Sequence, residues 1–229
     1  LFAVLAERGQ TGPALGLVLD GFGLGEKGQA WGGELLFFNG QHVRREGHLA
    51  PLDQPGGELA ARQPWRLATA VLAGLLRPSE AERRFGGRWP VSSILRIVGH
   101  PAFSPTTTAC GRYFQAASAL LGVCEAESYE AEAAMRLESL VECPTVFPEG
   151  YRITPFDDGR PTQLDVSSLW LQLIDCSPAE GAALFHGTLA EGLCALALPV
   201  LHRHGLREIV LTGGCVMNRV LTESLCAAF

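Results

Sequence analysis

The sequence predicts an α/β fold, a mixed sheet in which an antiparallel meander is joined to a parallel crossover and flanked by helices. Three observations predict it. Residues 14–48 read as strand, glycine turn, strand, Asn-Gly turn, strand. Residues 58–140 carry apolar side chains at helical spacing in several segments. Residues 177–228 read as a long helix, a short strand, a Gly-Gly turn and a helix.

Leu1 to Arg8 has helical character and stops at Gly9. Ala14 to Leu19 is an apolar strand that ends on Asp20, and six glycines follow before Glu34. This reads as a strand delivering an acid to a glycine turn, Gly21 to Gly25, with Gly28 in a second turn. The same residues also suit a plain hairpin. Gly32 to Phe38 is the next strand, Asn39-Gly40 a two-residue turn, and Gln41 to His48 the returning strand. Pro51, Pro55 and Gly56-Gly57 make a loop. Glu58 to Leu76 is helical, broken or restarted at Pro64. Arg77 to Pro90 is loop or short helix, Val91 to Val98 helix or strand, and His100 to Thr108 loop. Ala109 to Val123 and Glu127 to Leu140 are helices, Cys143 to Pro161 is irregular, and Thr162 to Leu173 has an apolar segment around Trp170. Ser177-Pro178-Ala179-Glu180 is a helix start with Ser177 as N-cap. The helix it opens runs to Arg203, with a kink expected at Pro199 and an end at Gly205. Glu208 to Leu211 is a strand, Thr212-Gly213-Gly214 a tight turn, and Cys215 to Ala228 a helix.

The chain of 229 residues has a net charge of −6, which argues against non-specific nucleic-acid binding. Its seven cysteines are scattered without C-x-x-C spacing, so neither a zinc site nor a redox dithiol is indicated, and reduced thiols in a cytoplasmic protein are the expectation. No run is read as approaching the length of a membrane span, and no leader is read at the start. Both ends read as cut from a longer protein.

Few residues carry chemistry by type and place. Asp20, where a strand meets a glycine turn, suits a metal ion or a turn that binds its own backbone. Gly213 and Gly214, between strand and helix, suit a ring or phosphate resting on the backbone, or tight strand–helix packing. Asn218 lies one turn on, facing ligand or solvent. Gly111-Arg112 opens a helix, where Arg112 suits an anion or plain solvent. Trp65 and Arg66 read as core and rim. No histidine set suggests a metal, no Ser–His–Asp or Cys–His set suggests a nucleophile, and no phosphate-loop or dinucleotide pattern is present.

Six motifs, in order and covering nearly the whole chain, carry a family resemblance: LDGFGLGEKGQAWGGE (19–34), HLAPLDQPGGELAARQPWR (48–66), CGRYFQAASALLGV (110–123), YEAEAAMRLE (129–138), FHGTLAEGL (185–193) and LTGGCVMNRVL (211–221). Together they resemble the large nucleotide-binding domain of the carbamoyltransferases of nickel–iron hydrogenase maturation. The resemblance implies an actin/sugar-kinase/heat-shock-protein ATPase-like fold. It divides the chain into a meander with a phosphate loop (1–57), a mainly helical insert with nucleotide-side helices (58–176) and an adenosine-side unit (177–229). It also implies ATP and carbamoyl phosphate as substrates and carbamoyl-adenylate as the bound intermediate. The acceptor it implies is the C-terminal cysteine of a partner protein, which makes the cyano ligands of the hydrogenase iron. Related domains carbamoylate antibiotic hydroxyls or transfer threonylcarbamoyl to transfer RNA. The PGG…PWR segment favours the hydrogenase branch. A small-molecule O-carbamoyltransferase and a non-catalytic nucleotide-binding scaffold are the competing readings.

The resemblance also assigns residues. Asp20 would bind a divalent metal (Mg, Fe or Zn). Gly21, Gly23 and Gly25 would form the phosphate-side loop. Gly111, Arg112 and Glu130 would lie near the nucleotide, and Gly213, Gly214 and Asn218 would hold the adenosine end. Gln115 stands where the family has a ribose-binding aspartate, and Phe22 where it has a threonine. The family's further ligands, a histidine pair and a second aspartate, would lie before Leu1 and after Phe229. The isolated chain is therefore expected to be inactive.

Overall fold

The structure, a computed structural model, describes residues 1–156 and 159–229, with Lys27 described by its backbone alone. Helix α1 (Phe2–Glu7) ends at Gly9, whose φ of +63° only glycine adopts freely. Strand β1 (Ala14–Leu24) lies between two other strands of the sheet. It pairs antiparallel with β2 (Ala30–Phe38) and parallel with β8 (Ile209–Thr212). Leu15, Leu17 and Leu19 share one face of the strand and are wholly buried in the core.

The glycine turn expected at Gly21 to Gly25 is a correction. β1 continues through Gly21, Phe22 and Gly23 to Leu24, and only Gly25 lies beyond it. Pairing passes from Leu19–Gly33 to Gly23–Trp31, so four steps on β1 face two on β2. Asp20, Gly21 and Phe22 therefore stand out of register as a bulge. The chain turns later, through a 3-10 turn at Glu26–Gly28 closed by Gly25 N–H donating to the Gln29 carbonyl at 2.8 Å.

The Asn-Gly turn holds four residues, not two. Asn39 Oδ1 accepts from the N–H groups of Gln41 and His42 at 2.9 and 2.8 Å, which delays β3 (Val43–Leu49). Beyond β3 the sheet continues through β7 (Thr162–Asp165), parallel to it, to β6 (Arg152–Thr154). A short branch, β4 (Leu52–Asp53) with β5 (Thr106–Thr107), leaves the start of β2. Residues 58–176 thus add three strands to their helices. The segment read as irregular, 143–161, contains β6, while its residues 157 and 158 lie outside the described residues.

Pro64 divides the next helical segment as expected, into α2 (Glu58–Arg62) and α3 (Pro64–Gly74). Helices α4 (Pro78–Phe85) and α5 (Val91–Leu95) settle two ambiguous runs. They are followed by α6 (Cys110–Leu120), α7 (Glu132–Glu138) and α8 (Ser167–Leu173). The second of these starts five residues late, because Glu127 and Glu132 carboxylates capture the N–H groups of Ala133 and Ser128 and Ala131 takes a left-handed conformation. Ser177 caps α9 (Pro178–Arg203) by accepting from Glu180 N–H at 3.4 Å, and Pro199 does not end the helix. By length and composition α9 can cross a membrane, which corrects the reading that no run has that length. Here 72% of its apolar window is buried, so its apolarity serves the core. Phe185 on α9 meets Phe114 at 5.1 Å and Trp170 at 5.9 Å between ring centroids, joining α6, α8 and α9 in one hydrophobic core with β1 and β2. Trp65 belongs to that core, with the Arg66 guanidinium 5.1 Å over its ring.

Candidate functional site

The parallel pair β1 and β8 ends at one level, with Val18 beside Thr212. The carboxyl ends of parallel strands are where open α/β sheets leave room for ligands. Three chain segments converge there: the β1 bulge at Asp20–Phe22, the start of α6, and the turn from β8 into a 3-10 turn at Gly214–Met217 and then α10 (Arg219–Ala228).

Missing side chains allow the convergence. A Cβ on Gly111 would stand 2.7 Å from Gly21 Cα, and one on Gly32 would stand 2.7 Å from the Asp20 carbonyl oxygen. A Cβ on Gly213 would strike the Leu19 carbonyl, and Gly213 also has φ +102°. A Cβ on Gly214 would lie 3.3 Å from Asp20 Oδ1. Gly21, Gly111, Gly213 and Gly214 are thus brought together around Asp20. Gly23 and Gly25 serve the hairpin instead: Gly23 pairs with Trp31, and a Cβ on Gly25 would run into the Trp31 ring.

Asp20 Oδ1 accepts from Gly21 N–H at 2.7 Å, and Asp20 forms no ion pair among the described residues. Arg112 lies across from it. Its Nε and Nη2 donate to the Gly21 carbonyl at 3.2 and 3.0 Å, and its Nη1 donates to Gln115 Oε1. Among the described residues no carboxylate is within ion-pair distance of this guanidinium. Burial lowers its pKa from the ordinary value, partly offset by Glu127, Cys215 and Glu130. The result is a half-buried cation, lacking a counter-ion, at the first turn of α6.

Two expected contacts are taken by the protein itself. Gln115 is buried, and its Nε2 donates to the Ala61 carbonyl at 2.6 Å and to Glu127 Oε2 at 2.7 Å while its Oε1 accepts from Arg112. It ties α6 to α2 and steadies Arg112. It has no free amide for a ribose. Asn218 faces neither ligand nor solvent. Its Oδ1 accepts from Leu221 N–H at 2.8 Å, capping α10, and its Nδ2 meets His186 Nε2 at 3.2 Å. His186 Nδ1 bonds the Ala182 carbonyl at 2.8 Å, so Nδ1 carries the hydrogen and Nε2 accepts. Burial lowers the His186 pKa and keeps the ring neutral. Glu130 is exposed in the turn before α7, outside the helix expected there.

Sequence reasoning missed two groups. Buried Glu34 accepts from Gly32 and Gly33 N–H at 3.3 and 3.4 Å, from Thr108 Oγ1, and from Arg45 Nε at 2.5 Å. Arg45 in turn lies 4.2 Å over the Trp31 ring. This network holds the Gly32-Gly33 backbone against the bulge. The second is Cys110, at the start of α6, whose thiol is held well above its usual pKa by Cys215, in the turn after Gly214, and by burial. A cysteine beside each structural glycine was the only available signal.

The described residues contain no group of three or more His, Cys, Asp or Glu side chains that could hold a metal ion. Asp20 alone is one carboxylate, already bonded to Gly21, so the residues present do not make a metal site. A cleft of about 610 Å³ lies at the opposite end of β1, lined by Val4, Arg8, Ala14, Leu206 and Ile209, away from these residues.

Residues 16–229 match the family model described as "Carbamoyltransferase, Kae1-like Domain, second subdomain". The chain is 39% identical to carbamoyltransferase HypF2 of Cupriavidus necator, with 98% of the chain and 31% of that protein covered. It is 39% identical to carbamoyltransferase HypF of Rhizobium leguminosarum bv. viciae, with 99% of the chain and 29% of that protein covered. It thus spans under a third of the length of either relative. The crystal structure of full-length HypF in its phosphate- and nucleotide-bound form superposes with a TM-score of 0.86 at 26% identity, over 97% of this chain and 30% of that one. The structure of T. kodakarensis HypF shares the fold, with a TM-score of 0.82 at 24% identity, over 98% of this chain and 31% of that one. The chain therefore belongs to the HypF carbamoyltransferase family, whose Kae1-like domain it matches.

Proposed function

We propose that this chain is the nucleotide-handling part of an enzyme that makes carbamoyl-adenylate from ATP and carbamoyl phosphate. The enzyme passes the carbamoyl group to the C-terminal cysteine of a partner protein, for the cyano ligands of a nickel–iron hydrogenase. The observation that carries this reading is Arg112. A half-buried guanidinium without a carboxylate partner, beside a crossing of bare backbone, attracts a phosphate oxygen and can hold it through two N–H groups. The family supplies the carbamoyl chemistry, and a relative in the fold binds phosphate and nucleotide.

In this reading Arg112 takes the phosphate, keeping its own orientation through the Gly21 carbonyl and Gln115. Gly111, Gly213 and Gly214 let the nucleotide lie on backbone, and Glu34 stiffens the opposite wall through Gly32 and Gly33. Asn218 supports the adenosine side from beneath, by fixing the start of α10. Transfer to the partner needs the whole protein, so the isolated chain is expected to leave the partner's cysteine uncarbamoylated.

Titration calorimetry of the full-length protein with ATP tests the reading. Arg112→Gln is expected to weaken ATP about tenfold to a hundredfold, a loss of roughly 1.4–2.7 kcal/mol. Its unfolding midpoint should stay near that of the parent, because a desolvated cation is removed. Unchanged ATP affinity in Arg112→Gln would sink the assignment.

A further inference from the structure

The Arg112 guanidinium touches no carboxylate among the described residues, yet one stands a single amide away. Gln115, one turn further along α6, accepts from Arg112 Nη1 through its Oε1. Its Nε2 points the other way and donates to Glu127 Oε2 at 2.7 Å and to the Ala61 carbonyl at 2.6 Å. Glu127 Oε1 accepts from Ala133 N–H at 3.0 Å, and the Glu127 N–H donates to the Arg62 carbonyl at 2.9 Å. So Glu127 is fixed from both sides. A carbonyl and a carboxylate only accept, and a guanidinium only donates. One orientation of the Gln115 amide satisfies all three partners, and the charge on Glu127 enforces it. A proton on Glu127 Oε2 would turn that atom into a donor facing the Gln115 Nε2. An amide that turned to meet it would set its NH2 group against Arg112 and its oxygen against the Ala61 carbonyl.

We propose that Glu127 is a positioning residue of the phosphate site: through the Gln115 amide its carboxylate holds the Arg112 guanidinium in the orientation that grips a phosphate oxygen, and protonation releases that hold. The inference rests on the function proposed above, in which Arg112 takes the phosphate of ATP. Placement at one remove matters. The bonds to the Gly21 carbonyl and to Gln115 leave one N–H on Nη1 and one on Nη2 for a ligand. A carboxylate in direct contact would claim those N–H groups and cancel the charge. Beyond the amide it does neither, and it polarises the Gln115 carbonyl toward Arg112. Arg112 favours the charge on Glu127, while Glu132 opposes it and is itself held by Arg136 and Ser128 N–H. Glu130 also acts on Arg112, and the buried Cys124 thiol lies in the field of Glu127 and Glu132. Burial outweighs these helps and pushes the Glu127 carboxyl up from its ordinary value. The hold is therefore present above that raised pKa and lost as pH falls through it.

The test is titration calorimetry of full-length protein with ATP, from about pH 7.5 to about pH 5, in the parent and in Glu127→Gln. At the upper pH the variant should bind ATP about tenfold more weakly. The ratio of the two affinities should then shrink toward unity as pH drops, because protonation brings the parent to the uncharged state of the variant. Protonation of ATP itself cancels in that ratio. Equal affinities at the upper pH overturn the proposal. So does a ratio that stays flat with pH, which together with a lowered unfolding midpoint would leave Glu127 only a support for the start of α7. If Glu127→Gln does not fold, Gln115→Met replaces it, breaking the bridge and leaving both charges. Its ATP affinity should fall about as far and lose the same pH dependence; a parent-like profile overturns the proposal. A second readout needs no ATP. In protein carrying isotope-labelled glutamine, the Gln115 side-chain NH2 signal, identified by its loss in Gln115→Met, should move as Glu127 titrates. A parent signal indifferent to pH overturns the link between Glu127 and Arg112. A signal that moves in a protein that binds no ATP at any pH overturns the proposed function and leaves that link standing.

Discussion

Two glycine segments meet at Asp20, and their glycines avoid different things. In the first, from Gly21 to Gly28, glycine is dense and much of it serves a hairpin: Gly23 sits in the ladder with Trp31, and Gly28 has φ +77° in open space. In the second there are two glycines: Gly213 has no room for a side chain, and Gly214 has little, with Asp20 Oδ1 3.3 Å from where a Cβ would stand. Glycine count marks turns, whereas glycine under another segment's backbone marks a place where chains cross. The second kind carries more of this site.

The sharpest way to break that contrast is to add one methyl group on each side. Gly213→Ala is expected to destabilise by about 3 kcal/mol, from positive φ and collision with the Leu19 carbonyl together. Gly28→Ala, strained but unobstructed, is expected to lose only about 1 kcal/mol. Urea unfolding of both variants checks this, and equal losses would erase the distinction. Gly111→Ala comes next. Its methyl meets Gly21 Cα, which cannot move aside as a flexible side chain would. A loss of roughly 2 kcal/mol is expected, with weaker ATP binding because Arg112 is displaced with α6. Normal affinity in that variant would separate the crossing from the site.

Asn218→Ala probes the support beneath the second segment. Loss of the α10 cap is expected to cost about 1 kcal/mol, read as a lower urea midpoint, with His186 left without its partner. The smallest effect is one of pH. The folded pKa of His186 lies below its unfolded value, so the unfolded chain binds the proton first as pH falls. The stability held above about pH 6.5 is then lost as pH drops toward the folded pKa. His186→Gln should flatten stability between about pH 6.5 and 5 relative to the parent. A slope that is unchanged would assign the acid sensitivity to other groups.

Much of the fold was legible because its signals are local. Pro64 restarting a helix, Ser177 capping α9 and Gly205 following it need only neighbours in sequence. The family motifs marked Asp20, Gly111, Arg112 and Gly213-Gly214, which the fold gathers. What stayed hidden depends on distant partners. The β1 bulge arises from where Trp31 and Gly33 sit on another strand. Gln115 looks like a ribose ligand until Ala61 and Glu127 are placed beside it, and Asn218 looks exposed until His186 arrives from α9. The Asn39-Gly40 turn was mistaken for a two-residue loop because the Asn39 side chain organises two further residues.

The position of β1 between two paired strands has a dynamic consequence. Leu17 is flanked by Leu35 on one side and Leu211 on the other, beneath a continuous apolar core. Its amide should exchange with solvent deuterium only through opening of the whole domain, whereas amides of the exposed Glu26–Gly28 turn should exchange early. The floor on which a ligand would rest is therefore already ordered before it arrives. Binding there would need little loss of backbone entropy, so affinity can come from a few well-aimed donors rather than from a large contact area.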